Sequence, residues 1–195
     1  MQSILLVRHA ETTLNATRTV QYPDTPLSTR GHWQAKQLAN RLRVEGVAQV
    51  ASSDYARAED TARAICEATK ASLTIEPMLR ERHLGTLRGQ PYQEVGGLVF
   101  SETVDPEAGE RWVDFVERID RLWAWVLDRA QQTPGVLVVV THGLVCRALA
   151  LRHLTLPPGD APPRFPNASV TVIEPRRPWR VTMLASDDGH AVAEE

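Results

Sequence analysis

The chain has 195 residues, of which 43% are hydrophobic and 24% are charged. This length suits one domain with a sizeable buried core, and the composition is ordinary for a soluble globular protein. The formal net charge of −2 excludes a global positive field that would draw the chain to nucleic acid or to an anionic membrane, so any anion site must be local.

Short apolar runs rich in β-branched residues alternate with segments of helical periodicity along the chain. The predicted strands are 3–7, 47–52, 72–77, 136–140, 168–175 and 178–186. The predicted helices are 28–43, 55–70, 110–132 and 144–156. Residues 80–109 are predicted to be mostly irregular because they lack clear periodicity and contain several glycines, and a proline-rich loop is predicted at 157–166.

The order of these elements predicts the fold class. Strands that alternate with helices favour a parallel sheet covered on both faces, and the closing pair of strands adds an antiparallel edge. We expect an α/β fold, a three-layer α/β/α sandwich with a mostly parallel central sheet and an antiparallel edge strand. Residues 1–186 are predicted to form a single domain, followed by a flexible tail at 187–195. The apolar final strand could join two copies into a homodimer or be capped within the monomer.

The cysteines and the apolar segments bear on the compartment. Cys66 and Cys146 lie far apart in apolar, helix-like contexts, so we expect reduced core residues rather than a disulfide. The N-terminus carries no signal-peptide pattern, and no apolar run approaches the roughly 20 residues of a membrane span. The sequence therefore predicts a cytoplasmic protein.

Charged side chains follow four of the predicted strands at the point where each strand ends. Arg8 and His9 follow the first strand, and Arg57 lies in the first helical turn after the second. Glu81 comes after the third, and His142 follows the fourth. Because open α/β sheets bind ligands at the carboxyl ends of their strands, we expect these five side chains to meet at one rim.

This set of residue types predicts phosphoryl transfer through a phosphohistidine. Two guanidinium groups suit a dianionic oxyanion, phosphate first, and the helix that begins after Gly143 adds backbone donors. The neighbouring cations disfavour the protonated form of His9, which leaves a neutral, nucleophilic imidazole. Glu81 can protonate a leaving oxygen and then take a proton from water.

Each residue taken alone has an ordinary structural interpretation. Arg8 and Glu81 could form simple ion pairs, Arg57 could be a surface charge of its helix, and His9 and His142 could be core histidines. A metal site is the other alternative for a chain with six histidines, but their spacings fit no compact ligand set. We expect no metal and no cofactor, a small phosphomonoester as the partner, and no binding to nucleic acid or membrane.

Five segments follow one another between residues 5 and 149: LVRHAETTLN, PDTPLSTRGHWQAKQLA, SSDYARAEDTA, LRERHLGTLRG and VVVTHGLVCRAL. Together they resemble the histidine phosphatase superfamily, the group that includes cofactor-dependent phosphoglycerate mutases, with Ala10 where glycine is usual. The resemblance implies that His9 is the phosphorylated nucleophile and that Glu81 is the proton donor. It also implies a phosphate pocket formed by Arg8, Arg57 and His142.

The resemblance implies further phosphate contacts outside this core. Asn15 and Gln21 match positions whose side chains often touch the phosphate, although either could simply hold a loop, and Tyr22 replaces the glycine usual after that glutamine. Gly143 and the backbone amide of Leu144 are the expected donors at the start of the helix that follows His142.

The family contains both phosphatases and mutases, and three features favour a phosphatase. Leu144 occupies the position where the mutases usually have asparagine, and residues 90–109 contain no Lys or Arg to bind a second charged group. The segment SSDYARAEDTA resembles the corresponding segment of the phosphatases. The motif E-R-H-x-G, which contains His83, is more similar to the corresponding motif of the mutases. We expect a metal-independent phosphomonoesterase acting on a small phosphorylated metabolite. The alternatives are a phosphoglycerate mutase and a non-catalytic module that binds phosphate or phosphoproteins. We expect the loops around the phosphate pocket, 90–109 and 157–167 among them, to select the substrate.

Overall fold

A computed structural model describes residues 3–158 and 165–186. The strands are β1 Ile4–Arg8, β2 Val47–Ser52, β3 Ser72–Ile75, β4 Val136–Thr141, β5 Val170–Ile173 and β6 Val181–Ser186. The α-helices are α1 Thr13–Ala16, α2 Thr29–Leu42, α3 Ala56–Thr69, α4 Tyr92–Val99, α5 Trp112–Gln132 and α6 Gly143–His153. Short 3₁₀ helices occupy Pro77–Leu79 and Gly85–Leu87. The predicted tail at 187–195 and part of the predicted loop at 157–166 lie outside the described residues.

The strands form one sheet in the order β3-β2-β4-β1-β5-β6. β1 through β4 pair in parallel, whereas β5 runs antiparallel to β1 and β6 runs antiparallel to β5. The predicted α/β fold with a mostly parallel sheet and an antiparallel edge is therefore confirmed. β1 is a central strand, so the residues that follow it emerge between two neighbouring strands.

Alternate side chains of β1 enter two different cores. Ile4 and Leu6 pack in the cluster that contains Phe115 and Ile119 of α5, whereas Leu5 and Val7 pack in the cluster that contains α2 and α3. The period-two alternation of a strand produces this division, and it gives the three predicted layers. No helix of the described ranges is long and apolar enough to cross a membrane.

The prediction of a mostly irregular segment at 80–109 was wrong in part. Residues Tyr92–Val99 form α4, although Gly96 and Gly97 lower its helix propensity. Val95 and Val99, one turn apart, are both buried against the core. Their tertiary burial outweighs the local preference that the glycines create.

The N-terminus of α2 holds the loop that follows β1. The side chain of Ser28 caps the helix by accepting from the Gly31 amide, and its own amide donates to the carbonyl of Glu11 over 2.9 Å. The Gln34 side chain accepts from the Glu11 amide at 2.8 Å. Gly31 fits closely here, because a Cβ on it would lie 1.9 Å from the Glu11 carbonyl oxygen. These contacts fix the loop that carries His9 against the N-terminus of α2.

Candidate active site

His9 lies directly after β1 with its backbone held on both sides. Its amide donates to the carbonyl of Thr141 over 2.9 Å, and the Asn167 side chain donates to its carbonyl over 3.0 Å. The imidazole Nδ1 lies 2.7 Å from the carbonyl oxygen of Ala10. Because a carbonyl only accepts, this contact assigns the proton to Nδ1 and leaves the lone pair on Nε2.

The lone pair of His9 faces a cation. The Nε–H of Arg57 donates to His9 Nε2 over 3.3 Å. Burial lowers the pKa of His9 well below its ordinary value, and the positive charges of Arg57 and Arg8 lower it further. The ring is therefore neutral near pH 7, which is the state in which Nε2 can act as a nucleophile.

Two arginines flank the ring, and backbone carbonyls orient both. Arg57 donates from Nη1 to the carbonyl of Tyr22 over 2.8 Å, and Arg8 donates from Nη1 to the carbonyl of Phe165 over 2.5 Å. Burial lowers the pKa of Arg57 to about 10, so its guanidinium keeps its charge at neutral pH. The Nε of Arg8 is buried and has no hydrogen-bond partner among the described residues.

His142 faces the same space from the end of β4. Its ring centroid lies 5.2 Å from that of His9, and its Nε2 lies 2.9 Å from the Oγ of Ser53. Burial, followed by the charge of Arg57, lowers the pKa of His142 well below its ordinary value. Its Nδ1 is buried without a partner within the described residues. Unpaired polar atoms are unfavourable inside a protein, so Nδ1 of His142 and Nε of Arg8 are candidates for contact with a polar ligand.

Glu81 reaches the site from the segment after β3. Its Oε1 accepts from the amide of Arg82 over 3.0 Å, and its Oε2 accepts from the amide of Leu144 over 3.1 Å. Burial raises the pKa of Glu81, and this effect outweighs the two amides and the charges of Arg57 and Arg8, which lower it. A buried carboxyl group with a raised pKa, beside the phosphate-binding arginines, is suited to exchange a proton with a substrate.

The structure thus brings together the five side chains that follow the strand ends. Arg57 contacts His9, His142 lies beside both, and the Glu81 carboxylate binds the first turn of α6. The Leu144 amide, expected to face phosphate, donates to Glu81 instead in this arrangement. Gly143 lies against Arg8, since a Cβ there would be 3.6 Å from the Arg8 Nε.

Asn15 and Gln21 belong to the loop on the same side of His9. The Asn15 Oδ1 caps α1 by accepting from the Thr12 amide over 3.1 Å, and it also accepts from the Asn167 side chain that holds the His9 carbonyl. Gln21 accepts from the Thr12 hydroxyl over 2.8 Å. Both side chains hold the loop in this structure, and a direct contact with phosphate remains a prediction.

Sequence reasoning assigned no role to several residues that border the site. Ser53 contacts His142. The ring centroid of Tyr55 lies 5.3 Å from the ring centroid of His142 and 5.2 Å from the guanidinium carbon of Arg57. Both belong to the quoted segment SSDYARAEDTA, so their position after β2 was a usable signal. Asn167 had no such signal, because the segment that carries it shows no pattern that points to the sheet edge. The described residues contain no group of three or more His, Cys, Asp or Glu side chains placed to hold a metal ion.

Known proteins resemble the chain over almost its whole length. The family model of the histidine phosphatase superfamily (branch 1) matches residues 4–186. A probable phosphoglycerate mutase GpmB of Enterobacter sp. (strain 638) is 31% identical over 97% of this chain and 95% of its own length. These matches cover all five motifs quoted above.

Solved structures of similar fold include a phosphatase. A mycobacterial glucosyl-3-phosphoglycerate phosphatase, determined in complex with VO3, superimposes with a TM-score of 0.75 at 28% identity, over 89% of this chain and 91% of that one. Bacillus stearothermophilus YhfR superimposes with a TM-score of 0.78 at 26% identity, over 96% and 98% of the two chains. The sequence match, the fold and the family model agree, and the chain belongs to the histidine phosphatase superfamily.

Proposed function

We propose that the protein is a metal-independent phosphomonoesterase that hydrolyses a small phosphorylated metabolite through a phosphohistidine on His9. The observation that carries this proposal is the state of the His9 ring. Its proton is held on Nδ1 by the Ala10 carbonyl, and its Nε2 accepts from Arg57, with Arg8 and the His142 ring close by.

In the first step, Nε2 of His9 attacks phosphorus in line with the leaving oxygen. The N–P bond forms, the P–O bond to the alcohol breaks, and the proton of the Glu81 carboxyl passes to the alcohol oxygen. Arg8, Arg57 and His142 donate to the phosphoryl oxygens and stabilise the charge that develops there. The positive charge on the imidazole is balanced by the phosphoryl group that it now carries.

In the second step, water takes the place of the alcohol. The Glu81 carboxylate accepts a proton from this water as its oxygen attacks phosphorus, and the N–P bond breaks. His9 regains its lone pair, Glu81 regains its proton, and inorganic phosphate leaves. The raised pKa of Glu81 suits both steps, because the carboxyl must give up a proton and then recover one.

Hydrolysis is favoured over mutase activity by what surrounds the phosphate pocket. A mutase must keep its phosphorylated intermediate and rebind it in a second orientation, whereas a phosphatase must only admit water. Residues 90–109 contain no Lys or Arg that could hold such an intermediate, and Leu144 offers no polar side chain beside His142. The similarity to a glucosyl-3-phosphoglycerate phosphatase supports hydrolysis, and the names of the GpmB relatives support the mutase as the second candidate.

Three measurements test the proposal. The wild-type protein should release phosphate from a chromogenic aryl phosphate in the presence of a chelator, and His9→Ala should not; equal rates in the two proteins would contradict it. Incubation with 3-phosphoglycerate decides between the candidates. Release of inorganic phosphate supports the phosphatase, whereas conversion to 2-phosphoglycerate without release supports the mutase. An acid-labile phosphoryl group that is trapped on His9 by rapid quenching would identify the intermediate.

A further inference from the structure

The imidazole of His83 faces N–H donors at both ring nitrogens. The amide of Gly85 points at Nδ1 over 3.2 Å, and a guanidinium N–H of Arg88 points at Nε2 over 3.0 Å. A neutral imidazole has one N–H and one lone pair, so it can accept from only one of them. With Nδ1 accepting from the Gly85 amide at the start of the 3₁₀ turn, the ring proton lies on Nε2, opposite the Arg88 N–H. An anion that accepts from both would satisfy this pair of donors.

Arg88 also differs from the neighbouring arginines in the partners of its guanidinium group. The arginines around it each have a carboxylate partner: Arg80 with Asp54, Arg82 with Asp105, and Arg118 with Glu110. Arg88 forms no ion pair with a carboxylate of the described residues, and its contacts are neutral groups, the His83 ring and the Tyr55 hydroxyl. A guanidinium without a counterion, beside a second N–H donor, is suited to an oxyanion.

Tyr55 connects this pair to the phosphate pocket. Its hydroxyl lies 3.4 Å from Nη2 of Arg88, while its ring lies 5.3 Å from the ring of His142 and 5.2 Å from the guanidinium carbon of Arg57. Tyr22 bridges the two places a second time, because its carbonyl accepts from Arg57 and its hydroxyl donates to the Arg88 carbonyl. The two sets of donors are therefore separated by about one aromatic ring, a distance that a metabolite of a few carbons can span.

We propose that His83 and Arg88 form a second anion site, which binds a carboxylate or a second phosphate of the same substrate whose phosphoryl group lies between Arg57 and His142. This inference rests on the proposed function and narrows its substrate to phosphomonoesters that carry a further anionic group. His83 and Arg88 lie before the segment 90–109, so the lack of Lys and Arg in that segment does not bear on this site.

Two matched pairs of substrates test the inference. 3-Phosphoglycerate and glycerol 3-phosphate differ by a carboxylate, and fructose 1,6-bisphosphate and fructose 6-phosphate differ by a phosphate. We expect kcat/KM to favour the more anionic member of one pair, and Arg88→Gln to reduce that preference about tenfold. Arg88→Lys should retain part of it. The pair that responds identifies the anion as carboxylate or phosphate.

Arg80→Gln is the matched control, because Arg80 also lies over Tyr55 but is paired with Asp54. It should leave the ratio of kcat/KM values within each pair unchanged. Equal ratios in wild type and Arg88→Gln for both pairs would overturn the anion site while the proposed hydrolysis stands.

Binding separates this result from a failure of the proposed function. Calorimetry on His9→Ala, which cannot turn over, measures the affinity for both members of each pair. The more anionic ligand should bind about tenfold more tightly, and the additional Arg88→Gln substitution should remove the difference. If wild type hydrolyses none of the four compounds, this comparison alone decides the anion site, and a lack of difference overturns it.

Discussion

The Nε of Arg57 lies 3.3 Å from Nε2 of His9, so the nucleophilic nitrogen and a charge-stabilising donor are in direct contact. The contact holds the ring orientation that the Ala10 carbonyl sets from the other side. It also means that an incoming phosphoryl group must take over the Arg57 N–H as Nε2 turns its lone pair towards phosphorus. The same guanidinium thus serves the resting ring and the charge that develops on phosphate.

Replacing Arg57 should remove this donor without unfolding the protein. We expect Arg57→Ala to lower kcat for an aryl phosphate by about 100- to 1,000-fold. Arg63→Ala is the control, since Arg63 is on the same helix and pairs with Glu59 on the outer surface. That variant should keep the wild-type kcat, and similar losses in both variants would show that the effect comes from α3 rather than from the site.

Glu81→Gln should reveal the proton donor through the leaving group. An alkyl alcohol needs a proton as it leaves, whereas nitrophenol does not, so we expect a loss of about 100- to 10,000-fold for alkyl phosphates and a much smaller loss for the nitrophenyl ester. The control, Glu67→Gln on the outer face of α3, should affect neither substrate. Equal losses for both esters in Glu81→Gln would contradict the assigned role.

The raised pKa of Glu81 also predicts a pH dependence. The first step needs the protonated carboxyl, so kcat/KM for an alkyl phosphate should fall as the pH rises through that pKa. This decrease in kcat/KM at high pH should be absent from the pH profile of Glu81→Gln. A decrease that persists in this variant would assign the titration to another group.

The buried histidines predict how stability depends on pH. In the unfolded chain an imidazole takes up a proton near pH 6.5, whereas burial keeps His9 and His142 neutral to lower pH. The unfolded state therefore binds more protons below pH 6.5, and each histidine lowers the free energy of unfolding by up to about 1.4 kcal/mol per pH unit there. Denaturation at several pH values should give a shallower slope for His142→Asn than for wild type. An equal slope in the two proteins would contradict the burial of a neutral imidazole at position 142.

Arg82 should be a structural residue although it adjoins Glu81. Its buried guanidinium donates to the carbonyls of Ser101 and Glu110 and pairs with Asp105. Arg82→Met would remove the donor that these two carbonyls and Asp105 share, and we expect a loss of about 2–4 kcal/mol in the free energy of unfolding. Arg111→Met, which breaks an exposed pair with Asp114, should change the free energy of unfolding much less, because surface ion pairs contribute little to stability. Comparable losses in the two variants would contradict the difference in burial.

The sheet and the residues at its strand ends could be predicted because their signals are local. The run ending in Arg8 and His9 is apolar, short and rich in β-branched residues, and a parallel sheet gathers such ends at one edge. The order of the motifs then assigned Glu81 and His142 to the same edge. α4 could not be predicted in this way, since its two glycines oppose a helix and only burial of Val95 and Val99 supports it.

The hydrogen bonds within the site depend on loop positions that no periodicity encodes. Asn167 reaches the His9 carbonyl from a loop 158 residues away in the chain. The conflict of donors around His83 depends on the angles of one turn. The tautomer of His9 likewise depends on the position of the Ala10 carbonyl, which is set by the backbone conformation and not by the identity of the two residues.

Gly31 limits which sequences this fold can tolerate near its nucleophile. In a helix, glycine is usually about 1 kcal/mol less favourable than alanine, so drift would be expected to replace it. Here a single methyl group would collide with the Glu11 carbonyl two residues beyond His9. The helix therefore keeps a residue of lower helix propensity, because the backbone of Glu11 leaves no room for a side chain and the loop that carries the reacting ring stays in place.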